Sequence, residues 1–162
     1  MKLLVMSDSH DNLWKLQAAA AHLEAADVIA HCGDICSPFM IRRLGELSSG
    51  KPVHVVWGNN DGDTYLLGKV AAAFPNISLH GALAQFDLGG RPVAVNHYPE
   101  IAAGLARSGQ YAVVCYGHDH ALHEERVNGC LLVNPGELMG MKGRSTLAVV
   151  ESADLNVEWI DL

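Results

Sequence analysis

The sequence predicts an α/β protein of two stacked sheets covered by helices, and three observations lead there. The first half of the chain alternates short apolar runs with stretches of helical periodicity, and the second half is rich in strand-like segments separated by tight-turn signals. Six clusters of Asp, Asn and His each follow a strand-like run. Strand ends are the edge of an α/β sheet at which ligand sites form.

Lys2 to Ser7 is short and apolar and reads as a strand. Asn12 to Ala26 carries Leu13, Leu16, Ala20 and Leu23 at helical spacing among good helix formers, predicting one helix. Val28 to Cys32 is a second strand. Ser37-Pro38 starts the next helix, with Pro at its first position, and Ile41 to Leu47 continues it to Ser48-Ser49-Gly50. Val53 to Trp57 is a third strand, and the alternation predicts a parallel sheet with right-handed crossovers. A helix from Thr64 to Ala73 closes at Pro75. Ile77 to His80 reads as a strand, and Gln85 to Leu88 and Pro92 to Asn96 as a hairpin about Gly89-Gly90. Ile101 to Arg107 is helical and Ala112 to Tyr116 a buried strand. His123 to Val127, Leu131 to Val133, Thr146 to Val150 and Leu155 to Ile160 read as antiparallel strands, with turns at Asn128-Gly129 and Ala153-Asp154.

A chain of 162 residues, 49% apolar and 18% charged, with no internal repeat or linker, predicts a single domain over residues 1–162. Eleven Lys and Arg against eighteen Asp and Glu give a net charge of −7, which argues against a long nucleic-acid duplex as partner. Small anionic substrates remain compatible, because bound cations would offset acids in the clusters. Cys32, Cys36, Cys115 and Cys130 lack zinc-ribbon spacing and read as free, mostly buried thiols. Leu3 to Met6 is too short for a signal-peptide core, and no apolar run approaches about twenty residues. The expectation is a soluble, cytoplasmic protein without a membrane partner.

The clusters are Asp8-Ser9-His10, Gly33-Asp34, Gly58-Asn59-Asn60-Asp61, His97, Gly117-His118-Asp119-His120 and Asn134-Pro135-Gly136. Residues two apart project to the same side of an extended chain, so Asp8 with His10, and His118 with His120, are placed to chelate an ion. Together the clusters supply the donors of a two-metal site. Carboxylate, imidazole and amide oxygen without thiolate suit divalent transition metals better than calcium: manganese first, with iron, zinc or nickel as further candidates.

Taken one at a time, these residues have plainer readings. Asp8 and Asp34 read equally well as helix caps, and Asn59 as a turn residue in Gly58-Asn59-Asn60-Asp61-Gly62. His97 alone reads as a core imidazole, and His10, His118 and His120 as surface residues. Asp11 and Asp119 read as loop acids and Lys142 and Arg144 as a solvated basic loop. His22, His31, His54, His80 and His123 read as structural, with His31 close enough to Asp34 to contact the site.

The order Asp-x-His, Gly-Asp, Gly-Asn-x-Asp, His, Gly-His-x-His resembles the calcineurin-like metallophosphoesterases, above all their compact bacterial and archaeal phosphodiesterase branch, from Asp8 to Asn134. The resemblance implies a four-layer αββα sandwich, two mixed sheets flanked by helices, with the metals at the strand ends. It assigns Asp8, His10 and His120 to a first metal, Asn59, His97 and His118 to a second, and Asp34 to a bridge between them. The implied activity is phosphodiester hydrolysis by a metal-bridging hydroxide, with Asp34 and Asn59 acting through the metals and no protein nucleophile. A phosphomonoesterase or protein phosphatase, and a metal-binding scaffold without catalysis, are the alternatives. A homodimer is also implied. Asn60, Asp61 and Asn134 would stand behind the ligands.

Three positions depart from the family pattern. Asn60 stands where many relatives have His, and an amide cannot act as a general acid at neutral pH. Tyr98-Pro99 follows His97 where the family usually has Gly, and Glu137 follows Asn134-Pro135-Gly136 where Ser is common.

Overall fold

Alternate side chains of the first strand, β1 (Lys2–Met6), belong to different cores: Leu4 and Met6 pack beneath helices, and Leu3 and Val5 against a second sheet. In this computed structural model, which describes residues 1–162, the same two-sidedness runs through the middle strands and fixes the layer order.

The first sheet runs β11 (Val157–Asp161), β10 (Thr146–Glu151), β1, β2 (Val28–His31), β3 (Val53–Val55), β4 (Ile77–Leu79). Strands β1 to β4 are parallel, and β10 and β11 complete the sheet antiparallel. The second sheet runs β5 (Ala84–Asp87), β6 (Pro92–Val95), β7 (Val113–Cys115), β9 (Cys130–Pro135), β8 (Leu122–Val127). Here β6, β7 and β9 are parallel and the outer strands antiparallel. Helices α1 (Leu13–Ala18), α2 (Ala20–Ala25), α3 (Pro38–Leu47) and α4 (Thr64–Ala71) cover the first sheet, burying Leu16, Leu23, Met40, Ile41, Leu44 and Leu67 against it. Helix α5 (Pro99–Arg107) covers the second with Ala102 and Ala106. Between the sheets lie Leu3, Val5, Val93, Val95, Val113, Leu131 and Val133. Each fully buried aliphatic of this kind contributes about 1.5–3 kcal/mol. The result is the four-layer αββα sandwich expected.

Four details differ from the sequence reading. The helix expected over 12–26 is two helices joined at Ala19, whose carbonyl accepts both the usual Leu23 N–H and the His22 N–H three residues on. Leu16 and Leu23 still face the same core across this tightened turn, so the apolar period runs through it. Helix α5 begins at Pro99, which takes the first helical position and so absorbs Pro99 and Glu100 into the helix. Strand β9 is antiparallel only to β8 and lies parallel to β7. The last strand starts at Val157, because Leu155 turns with φ of 57° and closes the loop by bonding to the Glu151 carbonyl.

All four cysteines are free, three of them buried. No helix is long and apolar enough to cross a membrane. The carboxyl ends of β1, β2 and β3 in one sheet, and of β6, β7 and β9 in the other, lead into the loops that carry the Asp, Asn and His clusters.

Candidate metal centre

Asp8 and His10 lie just beyond β1, and their backbone N–H groups bond the carbonyls of Gly33 and Asp34, each at 3.1 Å. The loops after β1 and β2 are thereby laid side by side. Asp34 is itself fixed from the loop after β3: Asn60 donates its backbone N–H to Oδ1 at 2.8 Å and its side-chain amide to Oδ2 at 2.7 Å. Asp61 accepts the N–H groups of Asp34, Cys36 and Gly58 at 3.0, 2.7 and 2.7 Å and ties the same two loops together. The second sheet enters through His118, whose N–H donates to Asp8 Oδ2 at 3.1 Å.

This crowding needs glycine at two places. A Cβ on Gly58 would overlap Asp34 Oδ1, and one on Gly117 would overlap Ser7 Oγ and come within 2.6 Å of Asp8 Oδ2. It also needs unusual backbone: Asp8, His10, Asp34, His118 and His120 all have positive φ, between 37° and 77°.

Donor atoms of Asp8, His10, Asp34 and His120 lie within 4.8 Å of one another. Asp8 Oδ1 and His10 Nε2 are buried and have no hydrogen-bond partner. His120 Nδ1 donates to the Glu137 carboxylate at 2.6 Å, which leaves the lone pair of the neutral ring on Nε2, 3.2 Å from Asp8 Oδ1. Beside this group, His97 Nδ1 donates to the Cys32 carbonyl at 2.7 Å and so presents its own Nε2 lone pair to Asn59 Oδ1 at 3.1 Å and Asp34 Oδ1 at 3.6 Å. His118 Nδ1 approaches the same Asn59 oxygen at 2.8 Å and His97 Nε2 at 3.3 Å. Lone pairs that face one another repel, and unpartnered buried polar atoms cost about 1–3 kcal/mol each. Divalent cations bound here would remove both penalties. The oxygen and nitrogen donors, with no thiolate among them, suit divalent metals.

The electrostatics agree. Burial pushes the Asp8 carboxyl above its ordinary range, against smaller opposing effects of Ser7, His120, His97 and the His118 N–H. At Asp34 burial acts in the same direction but is outweighed by the two Asn60 hydrogen bonds and by His97 and His10, so its carboxyl lies below the ordinary range.

The residues expected at the site therefore fall in two adjoining groups about Asp34: Asp8, His10 and His120, with His10 Nε2 3.5 Å from Asp34 Oδ2, and Asn59, His97 and His118, with His97 Nε2 3.6 Å from Oδ1. Asn60 and Asp61 stand directly behind Asp34. Asn134 is further off; its amide bonds Asp119 Oδ1 at 2.5 Å and the Gly117 carbonyl at 3.2 Å, bracing the loop that carries His118 and His120. Buried His31 bonds Ser9 Oγ at 2.9 Å and receives the Gly33 N–H, behind the loop that bears Asp34. His54 pairs with His80 at 2.9 Å and His123 with the Tyr116 hydroxyl at 2.8 Å, so these stay structural. Asp11, read as a loop acid, accepts the Ser37 N–H and hydroxyl and so caps the start of α3. Arg144 is held by Asp161 and the Lys142 ammonium by the Asp119 carbonyl at 2.8 Å.

One residue escaped the sequence reading. Glu137, noted only for standing where Ser is common, is almost fully buried against His120 and lines, with it, a cavity of about 270 Å³. A carboxylate only four residues beyond the apolar run Cys130 to Val133 was the available signal.

Comparison with known proteins gives a consistent picture. Residues 1–154 match the calcineurin-like phosphoesterase superfamily domain. The chain is 28% identical to Phosphodiesterase MJ0936 of Methanocaldococcus jannaschii over 94% of its own length and 93% of the relative's. It is 32% identical to the probable metallophosphoesterase YsnB of Bacillus subtilis over 90% and 80% respectively. The structure of an archaeal phosphodiesterase superposes over the whole of both chains with a TM-score of 0.91 at 27% identity. Vps29 of Entamoeba histolytica, solved with zinc, shares the fold at a TM-score of 0.70 and 18% identity, covering 99% of each chain.

Proposed function

The chain belongs to the calcineurin-like phosphoesterase superfamily, and from that premise we propose that it is a divalent-metal-dependent phosphodiesterase acting on a small phosphoester. The observation that carries this reading is the set of unpartnered donors, Asp8 Oδ1 and His10 Nε2, that meet Asp34 and His120 at the strand ends. Asp8, His10 and His120 would hold one ion, Asn59, His97 and His118 the other, and Asp34 both. Two bound cations of this kind supply charge to the phosphoryl oxygens and lower the pKa of a water. Manganese is the ion we favour, with iron, zinc and nickel as alternatives.

The protein's own part is orientation. Asn60 holds both oxygens of Asp34, the Cys32 carbonyl fixes the His97 ring, and the His118 N–H fixes Asp8. Asn60 cannot hand a proton to a leaving oxygen, so the reading includes a preference for diesters with acidic leaving groups. Diesters are favoured over monoesters for a further reason: Arg144 and Lys142 are engaged by Asp161 and Asp119, leaving no arginine pair to grip a phosphate dianion. We read residues 1–162 as one domain, working in the cytoplasm as a homodimer, with the net charge of −7 opposing long polyanions.

The test is hydrolysis of a chromogenic phosphodiester and its matching monoester by metal-stripped protein, with Mn²⁺, Fe²⁺, Zn²⁺, Ni²⁺ or Mg²⁺ restored singly. Metal-dependent turnover with the diester ahead is expected. Faster monoester turnover would overturn the diester assignment, and binding of two metals without turnover of either ester would favour the scaffold.

A further inference from the structure

We infer that Glu137 is a positioning residue that fixes the tautomer and aim of His120 and thereby sets the strength of one metal position; the inference rests on the dinuclear reading above. Glu137 is 2% exposed, and its Oε2 lies 2.6 Å from His120 Nδ1. A carboxylate can only accept there, so Nδ1 carries the proton and Nε2 keeps its lone pair on the side of Asp8, 3.2 Å away. The opposite tautomer would turn an N–H toward the donor cluster and leave Nδ1 repelling Glu137.

The backbone holds Glu137 to this task. The two residues after it are stitched to the loop that bears Asp8: Leu138 N–H bonds the Ser7 carbonyl at 2.9 Å and Met139 N–H the Asp8 carbonyl at 3.1 Å. Asn12 adds a bond to the Met139 carbonyl at 2.8 Å. Glu137's own carbonyl accepts the Thr146 N–H at 3.0 Å, and its Oε1 accepts the Lys142 N–H. The carboxylate thus spans from a ring at the metal cluster to the loop over 140–145, and its position relative to Asp8 is set by main chain.

Its charge also needs an explanation. No guanidinium or ammonium is spent on Glu137, since Lys142 binds the Asp119 carbonyl and Arg144 binds Asp161. A buried carboxylate without a cation is costly. Positive charge reaching it through the His120 ring satisfies that need, and a hydrogen-bonded carboxylate makes the ring a stronger donor in return. A serine hydroxyl at this position would bring no charge.

The experiment compares the wild type with Glu137→Ala, Glu137→Ser and Glu137→Gln. Long-range ¹H–¹⁵N NMR of the metal-free proteins reads the His120 tautomer, and calorimetric Mn²⁺ titration reads both affinities. The wild type is expected to show His120 protonated at Nδ1. Glu137→Ala should mix the tautomers and weaken one Mn²⁺ position about 10–100-fold while sparing the other. Glu137→Gln, which keeps an acceptor but not the charge, should restore the tautomer and recover only part of the affinity. An unaltered tautomer or unaltered affinities in both Glu137→Ala and Glu137→Gln would overturn the assignment. A wild type that binds no Mn²⁺ would overturn the dinuclear reading instead, and the tautomer of the metal-free protein would still judge Glu137.

Discussion

Asn60 does more than fill a place where relatives carry an imidazole. Its two hydrogen bonds are the largest influences opposing burial at Asp34, so replacing it would affect the proposed bridge as well as any leaving-group role. Asn60→His is expected to raise turnover of esters with poor leaving groups more than that of nitrophenyl esters, measured as the ratio of kcat/KM values; an unchanged ratio would count against the leaving-group argument. Asp34→Asn turns an acceptor toward the Asn60 donors into an amide that must present one of its own, and should lose both Mn²⁺ equivalents and at least about a hundredfold in kcat. At Gly117 even a methyl group collides with Ser7 and Asp8, so Gly117→Ala should lower stability by about 1–3 kcal/mol in thermal melts and weaken Mn²⁺ binding with it. The proposed ligands could be picked out in the sequence because Asp-x-His and His-x-His are local patterns attached to strand ends. Glu137 was not, because its partner His120 lies 17 residues away and the two meet only through the pairing of β8 with β9 and the return of the chain past Ser7.

Among the elements, β2 carries the clearest pH liability. Burial pushes His31 down from 6.5 to about 3, helped by the neighbouring charge of His97, and the neutral ring bonds Ser9 and the Gly33 N–H. The fold therefore favours the neutral ring: this stability is fully present above about pH 6.5 and is lost as the pH falls from there toward 3. His54, on β3, is pushed down to about 4 by burial and by His80, and adds to the same trend. In chelator, the wild type should lose stability on acidification, and His31→Gln should have a slope shallower by about 1.4 kcal/mol per pH unit below pH 6. Equal slopes by denaturant titration would refute this. Strand and helix order was readable because apolar periods of two and about 3.6 alternate along the chain. What could not be read was pairing: nothing local tells β9 to lie parallel to β7, or β10 to cross back and pair with β1, since both follow from burial shared between distant segments. The turn at Ala19 was hidden for the opposite reason, that the apolar spacing ignores it.

At the scale of the molecule, one sheet supplies Asp8, Asp34 and Asn59 and the other His97, His118 and His120, so the proposed metal centre would join the two halves of the sandwich at one edge. Metal held only by the folded state stabilises it by mass action, about 2.7 kcal/mol per site at a hundred times the dissociation constant. Saturating Mn²⁺ should raise Tm by about 5–10 °C, reversibly with EDTA, and Asp34→Asn should abolish the shift. A Tm indifferent to both Mn²⁺ and EDTA would sink the cross-sheet centre. The same edge concentrates the positive-φ backbone of Asp8, His10, Asp34, His118 and His120, conformations that cost of order 1 kcal/mol or more where the residue is not glycine. The sandwich thus gives up conformational stability at this one edge, and exchanging any of these side chains for glycine would relax the backbone while removing a donor.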